Sequence, residues 1–140
     1  MRVVILDAQG GGMGRTLVEL MKQALPTLPL VAVGTNAMAT SAMLKAGADQ
    51  VATGENAICY NATHADLLLA PIGMTLCDAM LGEVSARMAC AVGSSPAWKI
   101  FIPSTTCHTQ VAGTGALNLR DTLRDAVEKA TAYVAAHPEK

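Results

Sequence analysis

The sequence predicts a single α/β domain: a three-layer αβα sandwich of Rossmann-like architecture, with an open, mainly parallel sheet of about five strands. Three observations predict it. Short apolar runs recur between helical patterns, and none of them alternates polar with apolar residues, as suits parallel strands covered on both faces. A glycine-rich stretch joins the first run directly to the first helical pattern. Polar and glycine-bearing motifs recur where the other runs end.

Val3-Val4-Ile5-Leu6 is the first strand. Met13, Leu17, Leu20, Met21 and Ala24 then fall at helical spacing, and Pro26 follows the end of that helix. Leu30-Val31-Ala32-Val33 forms the second strand. The stretch from Ala37 to Ala46, rich in Ala, Met and Leu, forms the second helix, with Gly47 as its C′ residue. A weaker strand is expected at Gln50 to Ala52, then a short helix at Glu55 to Ala62 capped by Thr53 or Gly54. Leu67-Leu68-Leu69 is the next strand. Thr75 to Leu81 and Val84 to Val92 read as one broken helix, or two helices joined near Gly82. Ile100-Phe101-Ile102 is a further strand, and Thr109 to Ala112 is expected to add an edge strand. Leu119, Leu123, Ala126, Val127, Ala130 and Val134 make one stripe on the last helix, which Asn118 caps with Asp121 at N3. The tail from His137 to Lys140 is expected to fray. With no linker, repeat or low-complexity tract, residues 1–140 read as one domain.

Composition narrows the function classes. Hydrophobic residues make up 51% and charged residues 15% of the 140, which excludes disorder. The net charge of −1, with no basic run, argues against a nucleic-acid partner. The apolar stretch around Leu67 to Cys77 is broken by Pro71, Gly73 and Thr75, so no membrane span is expected. MRVVILDAQG lacks the pattern of a signal peptide, and a cytoplasmic location follows as the expectation. Cys59, Cys77, Cys90 and Cys107 contain no CxxC pair. They are expected as free thiols, mostly buried, and no metal site is expected.

The loop Asp7-Ala8-Gln9-Gly10-Gly11-Gly12-Met13-Gly14 carries the main functional signal. A helix N-terminus presents unpaired N–H groups and a partial positive charge, and glycines let an anion approach the backbone. The match to the dinucleotide fingerprint is imperfect. Gln9 stands where its first glycine belongs, and the acidic residue about 20 positions further on is missing. Thr35 and Asn36 are available there for a ribose instead. Further motifs end the other strands: Gly34-Thr35-Asn36, Thr53-Gly54-Glu55-Asn56, Pro71-Ile72-Gly73 and Ser104-Thr105-Thr106-Cys107-His108. In open parallel sheets that edge carries the ligand crevice.

The expected ligand-contacting residues are therefore Asp7, Gln9, Gly10, Gly11, Gly12, Met13, Gly14, Gly34, Thr35, Asn36, Gly54, Glu55, Asn56, Pro71, Ile72 and Gly73. The expected ligand is small and phosphate-bearing: NAD(P) or another nucleotide. Two alternatives stand beside it. One is a small-metabolite enzyme using Asp7, Glu55 or Glu83 as acid or base. The other is a non-catalytic homo-oligomer, because the apolar stretch from Met74 to Val92 predicts a homodimer contact over residues 74–92. Cys107 beside His108 is a weak catalytic pair, since neighbours on a strand face opposite ways. His64 falls at a strand entrance, on the edge opposite the crevice.

Four strings are distinctive: DAQGGGMGRTLVE, GTNAMATSAMLKAGADQVATGENAI, ADLLLAPIGMTLCDAMLGE and KIFIPSTTCHTQVAG. Together they resemble a small family of short bacterial proteins catalogued as a domain of unknown function. The resemblance implies a compact single Rossmann-like domain and carries no established activity. It marks Asp7, Gln9, Gly10, Gly11, Gly12, Gly14, Gly34, Thr35, Asn36, Thr40, Gly54, Glu55, Asn56, Pro71, Gly73 and Glu83 as positions that match the family pattern.

Overall fold

The computed structural model describes residues 1–104, 108–115 and 118–140. The strands are β1 (Val3–Asp7), β2 (Leu30–Gly34), β3 (Gln50–Thr53), β4 (Leu67–Pro71) and β5 (Trp98–Ile102). The helices are α1 (Gly12–Ala24), α2 (Ala37–Lys45), α3 (Glu55–His64), α4 (Ala86–Gly93) and α5 (Leu119–Ala136), with a 3-10 turn at Ile72–Thr75. All strand pairs are parallel, in the order β3-β2-β1-β4-β5.

The continuous apolar runs are explained by burial on both faces. β1, β2 and β4 are buried along their whole length. Val3 and Ile5 join Leu17, Val18 and Met21 of α1, Met43 of α2 and Leu123 and Val127 of α5 in one core. Val4 and Leu6 join Ile58 of α3 and Met88 and Val92 of α4 in the other. Each large side chain buried this way contributes roughly 1.5–3 kcal/mol. The chain steps outward from β1 to β3, then returns across β1 to β4 and β5. The direction therefore reverses between β1 and β4, which is where α/β sheets of this order open a crevice.

Local signals hold at several helix ends. Asn36 and Asn118 cap α2 and α5 by accepting from the N–H groups of Ala39 and Asp121, each at 2.9 Å. Gly47 follows α2 with φ 113°.

Five expectations are corrected. Thr75 to Leu81 is not a helix: after the 3-10 turn the chain closes turns on itself, with Asp78 N–H donating to Val84 O at 2.8 Å. Met74, Ala79 and Val84 enter the core from there, at a spacing of five that no helix serves, so burial overrides propensity. Asp78, Met80 and Leu81 take left-handed backbone, φ 63°, 57° and 59°. Thr109 to Ala112 forms no strand; Thr114 instead donates to Val111 O at 2.7 Å within a turn. Residues 137–140 are tied down: His137 stacks on Tyr133, and the N-terminal ammonium donates to Lys140 O. Cys59 is half-buried and Cys90 exposed, because α3 and α4 turn Ile58 and Met88 inward instead, and Cys77 is exposed in the turns that follow the 3-10 turn. Cys107 lies outside the described residues. Finally, Met74, Ala79, Val84, Met88, Ala89 and Val92 pack into the chain's own core, so this stretch does not lack cover within the protomer. Leu81 alone among its large apolar residues is fully exposed. No helix among the described residues is long and apolar enough to cross a membrane.

Candidate functional site

The glycine loop sits on the C-terminal edge of the sheet, beside the β1–β4 reversal. Gly11 N–H donates to Ala8 O at 3.0 Å and tightens the turn. A Cβ on Gly11 would lie 2.7 Å from the Ala39 Cα, and one on Gly34 would lie 2.6 Å from the Thr40 nitrogen. These two glycines let α2 close onto the loop. Gly14 likewise admits Asp7 and Met43. Gly10 and Gly12 differ: a Cβ on either meets nothing within 4 Å, and neither has positive φ.

The donors of the loop divide the same way. Asp7 is buried and accepts from Ala8 N–H at 2.8 Å and from Gly14 N–H at 2.6 Å. One amide of the α1 N-terminus is therefore filled by the protein's own carboxylate. Burial raises the Asp7 pKa; the bonds from Gly14 and Ala8 pull it back, and the charge of Glu83 adds to the rise. The N–H groups of Gly10, Gly12 and Met13 have no acceptor among the described residues.

Glu83 is the residue on which the site converges. One oxygen, Oε1, accepts from Gln9 N–H at 2.8 Å, from Asn36 Nδ2 at 2.5 Å and from the Thr35 hydroxyl. Burial pushes its pKa up, but the bonds from Thr35, Gln9 and Asn36 outweigh that and hold the carboxyl below its ordinary value. Thr35 and Asn36 thus donate to Glu83, and Asn36 also donates to Gln9 O at 2.9 Å. Thr40 fastens the start of α2 to the end of β3 through Asn36 O, Ala52 O and Thr53 Oγ1.

The other expected residues spread along the edge. Gly54 N–H donates to Gly34 O at 2.9 Å, and Gly54 caps α3 with φ 103°. Glu55 accepts from the Ser85 hydroxyl at 2.7 Å, and Asn56 is exposed beside it. Pro71 and Gly73 are buried and Ile72 is half-buried, at the start of the connection that carries Glu83. His64 ends α3 at the entrance to β4, its ring stacked on Tyr60. His108 is exposed. The described residues contain no cluster of three or more His, Cys, Asp or Glu able to hold a metal.

A cavity of about 830 Å³ adjoins the loop at Met13, bounded by Pro103, Ser104, Gln110 to Gly115, Leu119 and Thr122. Its size suits a small ligand. Gln110, Thr114 and Thr122 were not among the expected site residues. The signal available for them was Gly113-Thr114-Gly115, a turn placed after the last strand.

Among solved structures, a dodecameric FMN-dependent UbiX-like decarboxylase from Escherichia coli O157:H7 shares the fold. The TM-score is 0.50 over 96% of this chain and 94% of that one, at 13% sequence identity. No curated protein shows significant sequence similarity to the chain. The model of DUF3842, described as a domain of unknown function, matches residues 2–135, and with the α/β sheet and its glycine loop in place the chain belongs to that family.

Proposed function

We propose that the protein binds a small, phosphate-bearing ligand of nucleotide type, with its phosphate on the amides of Gly10, Gly12 and Met13. The observation that carries this reading is the pairing of free donors with glycines the fold does not need. Gly11, Gly14 and Gly34 each have a neighbour that excludes a side chain. Gly10 and Gly12 have none, and their N–H groups have no acceptor among the described residues. A backbone left bare at a helix N-terminus suits an approaching anion. The cavity beside Met13 supplies room for the rest of the ligand. Flavin dependence in a protein of like fold agrees with a ligand of this class.

Binding is favoured over catalysis by the state of the carboxylates. Both oxygens of Asp7 are occupied by backbone N–H groups, Glu55 is engaged by Ser85, and Glu83 is held through Oε1 by Gln9, Thr35 and Asn36. Self-association is part of the proposal at a single point, Leu81, which lies within the 74–92 segment and is fully exposed. Light scattering should report a dimer that Leu81→Asp dissociates; a monomeric wild type removes this element and leaves the binding site untouched.

Thermal melts with AMP, NAD and FMN test the reading. A ligand at 100 times its Kd adds about 2.7 kcal/mol of stability. Gly12→Ala should fold with unchanged or higher stability, because its side chain meets open space. It should nevertheless abolish most of the ligand-induced shift. A flat response across the three nucleotides contradicts the proposal.

A further inference from the structure

We infer that Glu83 is the sugar-recognition residue of this site and selects ligands carrying a free hydroxyl over those carrying a second phosphate there. The assignment rests on the nucleotide reading of the glycine loop and adds to it the identity of the sugar.

In dinucleotide folds an acidic residue at the end of the second strand takes the ribose hydroxyls. Here β2 ends in Gly34, and Thr35 and Asn36 follow without a carboxylate. The structure delivers one to the same place from elsewhere in the chain. Glu83, 48 residues from Thr35, arrives on the connection between β4 and α4. The Thr35 hydroxyl, the Asn36 amide and the Gln9 N–H fix it over the ends of β1 and β2.

The manner of fixing is informative. All three donors go to Oε1. Oε2 has no donor among the described residues and is not shut away from solvent. One oxygen anchors the side chain and the other is left to accept. A carboxylate oxygen accepts from a hydroxyl and repels a phosphate. Among the described residues no Arg or Lys engages Glu83 to offset that repulsion.

The experiment is calorimetric titration of the wild type with 5′-AMP, 2′-deoxy-5′-AMP and adenosine 2′,5′-bisphosphate. AMP should bind at least about tenfold more tightly than either of the others, the size of a charge-assisted hydrogen bond. Glu83→Gln should bring the three affinities within about threefold of one another. Glu83→Asp, which keeps the charge, should still reject the bisphosphate. General loss of folding would lower all affinities together, so the ratio is the readout. Equal affinities for AMP and its deoxy form in the wild type overturn the assignment, as does a preference that Glu83→Gln leaves intact or a bisphosphate that Glu83→Asp accepts. Absence of any AMP binding overturns the sugar assignment, and the nucleotide reading falls with it when NAD and FMN also fail to shift the melting temperature. Tight but undiscriminating binding overturns the sugar assignment alone.

Discussion

Asp7 and Glu83 meet burial in different ways, and the difference has a sign that pH can read. The Asp7 pKa is raised, first by burial, so the native state holds that proton more tightly than the unfolded chain does. Its ionisation therefore weakens the fold as pH rises through the raised value. The Glu83 pKa is lowered despite burial, by the bonds from Thr35, Gln9 and Asn36. Its contribution is present above the ordinary glutamate value and fades as pH falls through the depressed one. Glu83→Gln should cost about 1–3 kcal/mol at pH 7, the worth of charge-assisted hydrogen bonds. Chemical denaturation should show that difference shrinking below about pH 4. A penalty independent of pH would mean that charge is not what those donors hold. Gly11→Ala, by contrast, forces a Cβ to 2.7 Å from the Ala39 Cα at φ 73° and should destabilise by roughly 2–4 kcal/mol. The loop and its glycines were legible in the sequence because they are contiguous. The pairing of Glu83 with Thr35 was not, because it joins residues 48 apart through a connection of irregular backbone.

At the scale of elements, the strands were legible where both faces are buried. Val3 to Leu6 and Leu67 to Leu69 need no partner in sequence to declare themselves, since parallel strands covered by helices tolerate little else. The stretch from Thr75 to Leu81 was read as helical because Leu, Met and Ala favour helix. Tertiary burial of Met74, Ala79 and Val84 decides its path instead, and the left-handed residues are the consequence. Leu81 is fully exposed at φ 59°, so it gains nothing from packing. In the dissociated protomer, Leu81→Gly should therefore raise stability by about 0.5–1 kcal/mol, as relieved backbone strain exceeds the added freedom of the unfolded chain. Urea denaturation at a concentration low enough to dissociate the dimer would measure it; a loss of stability there would show that the Leu81 side chain packs within its own protomer. Thr109 to Ala112 was misread as an edge strand for a related reason: short runs do not reveal whether a partner strand exists.

For the whole molecule, the order β3-β2-β1-β4-β5 places the glycine loop, the connection bearing Glu83 and the segment after β5 on one edge of one sheet. The core needs that order only to bury its two apolar faces. Among the described residues, the edge combines three amides without an acceptor, a half-used carboxylate and a cavity of about 830 Å³, the features on which the proposed ligand site rests. The most direct test is an amide-resolved NMR titration of the 15N-labelled protein with 5′-AMP. The amide resonances of Gly10, Gly12 and Met13 should move first and farthest. Those of Gly11 and Gly14, already bonded to Ala8 O and to Asp7, should move little. Saturating nucleotide that leaves Gly10, Gly12 and Met13 unmoved, or that shifts residues only elsewhere on the molecule, contradicts the account.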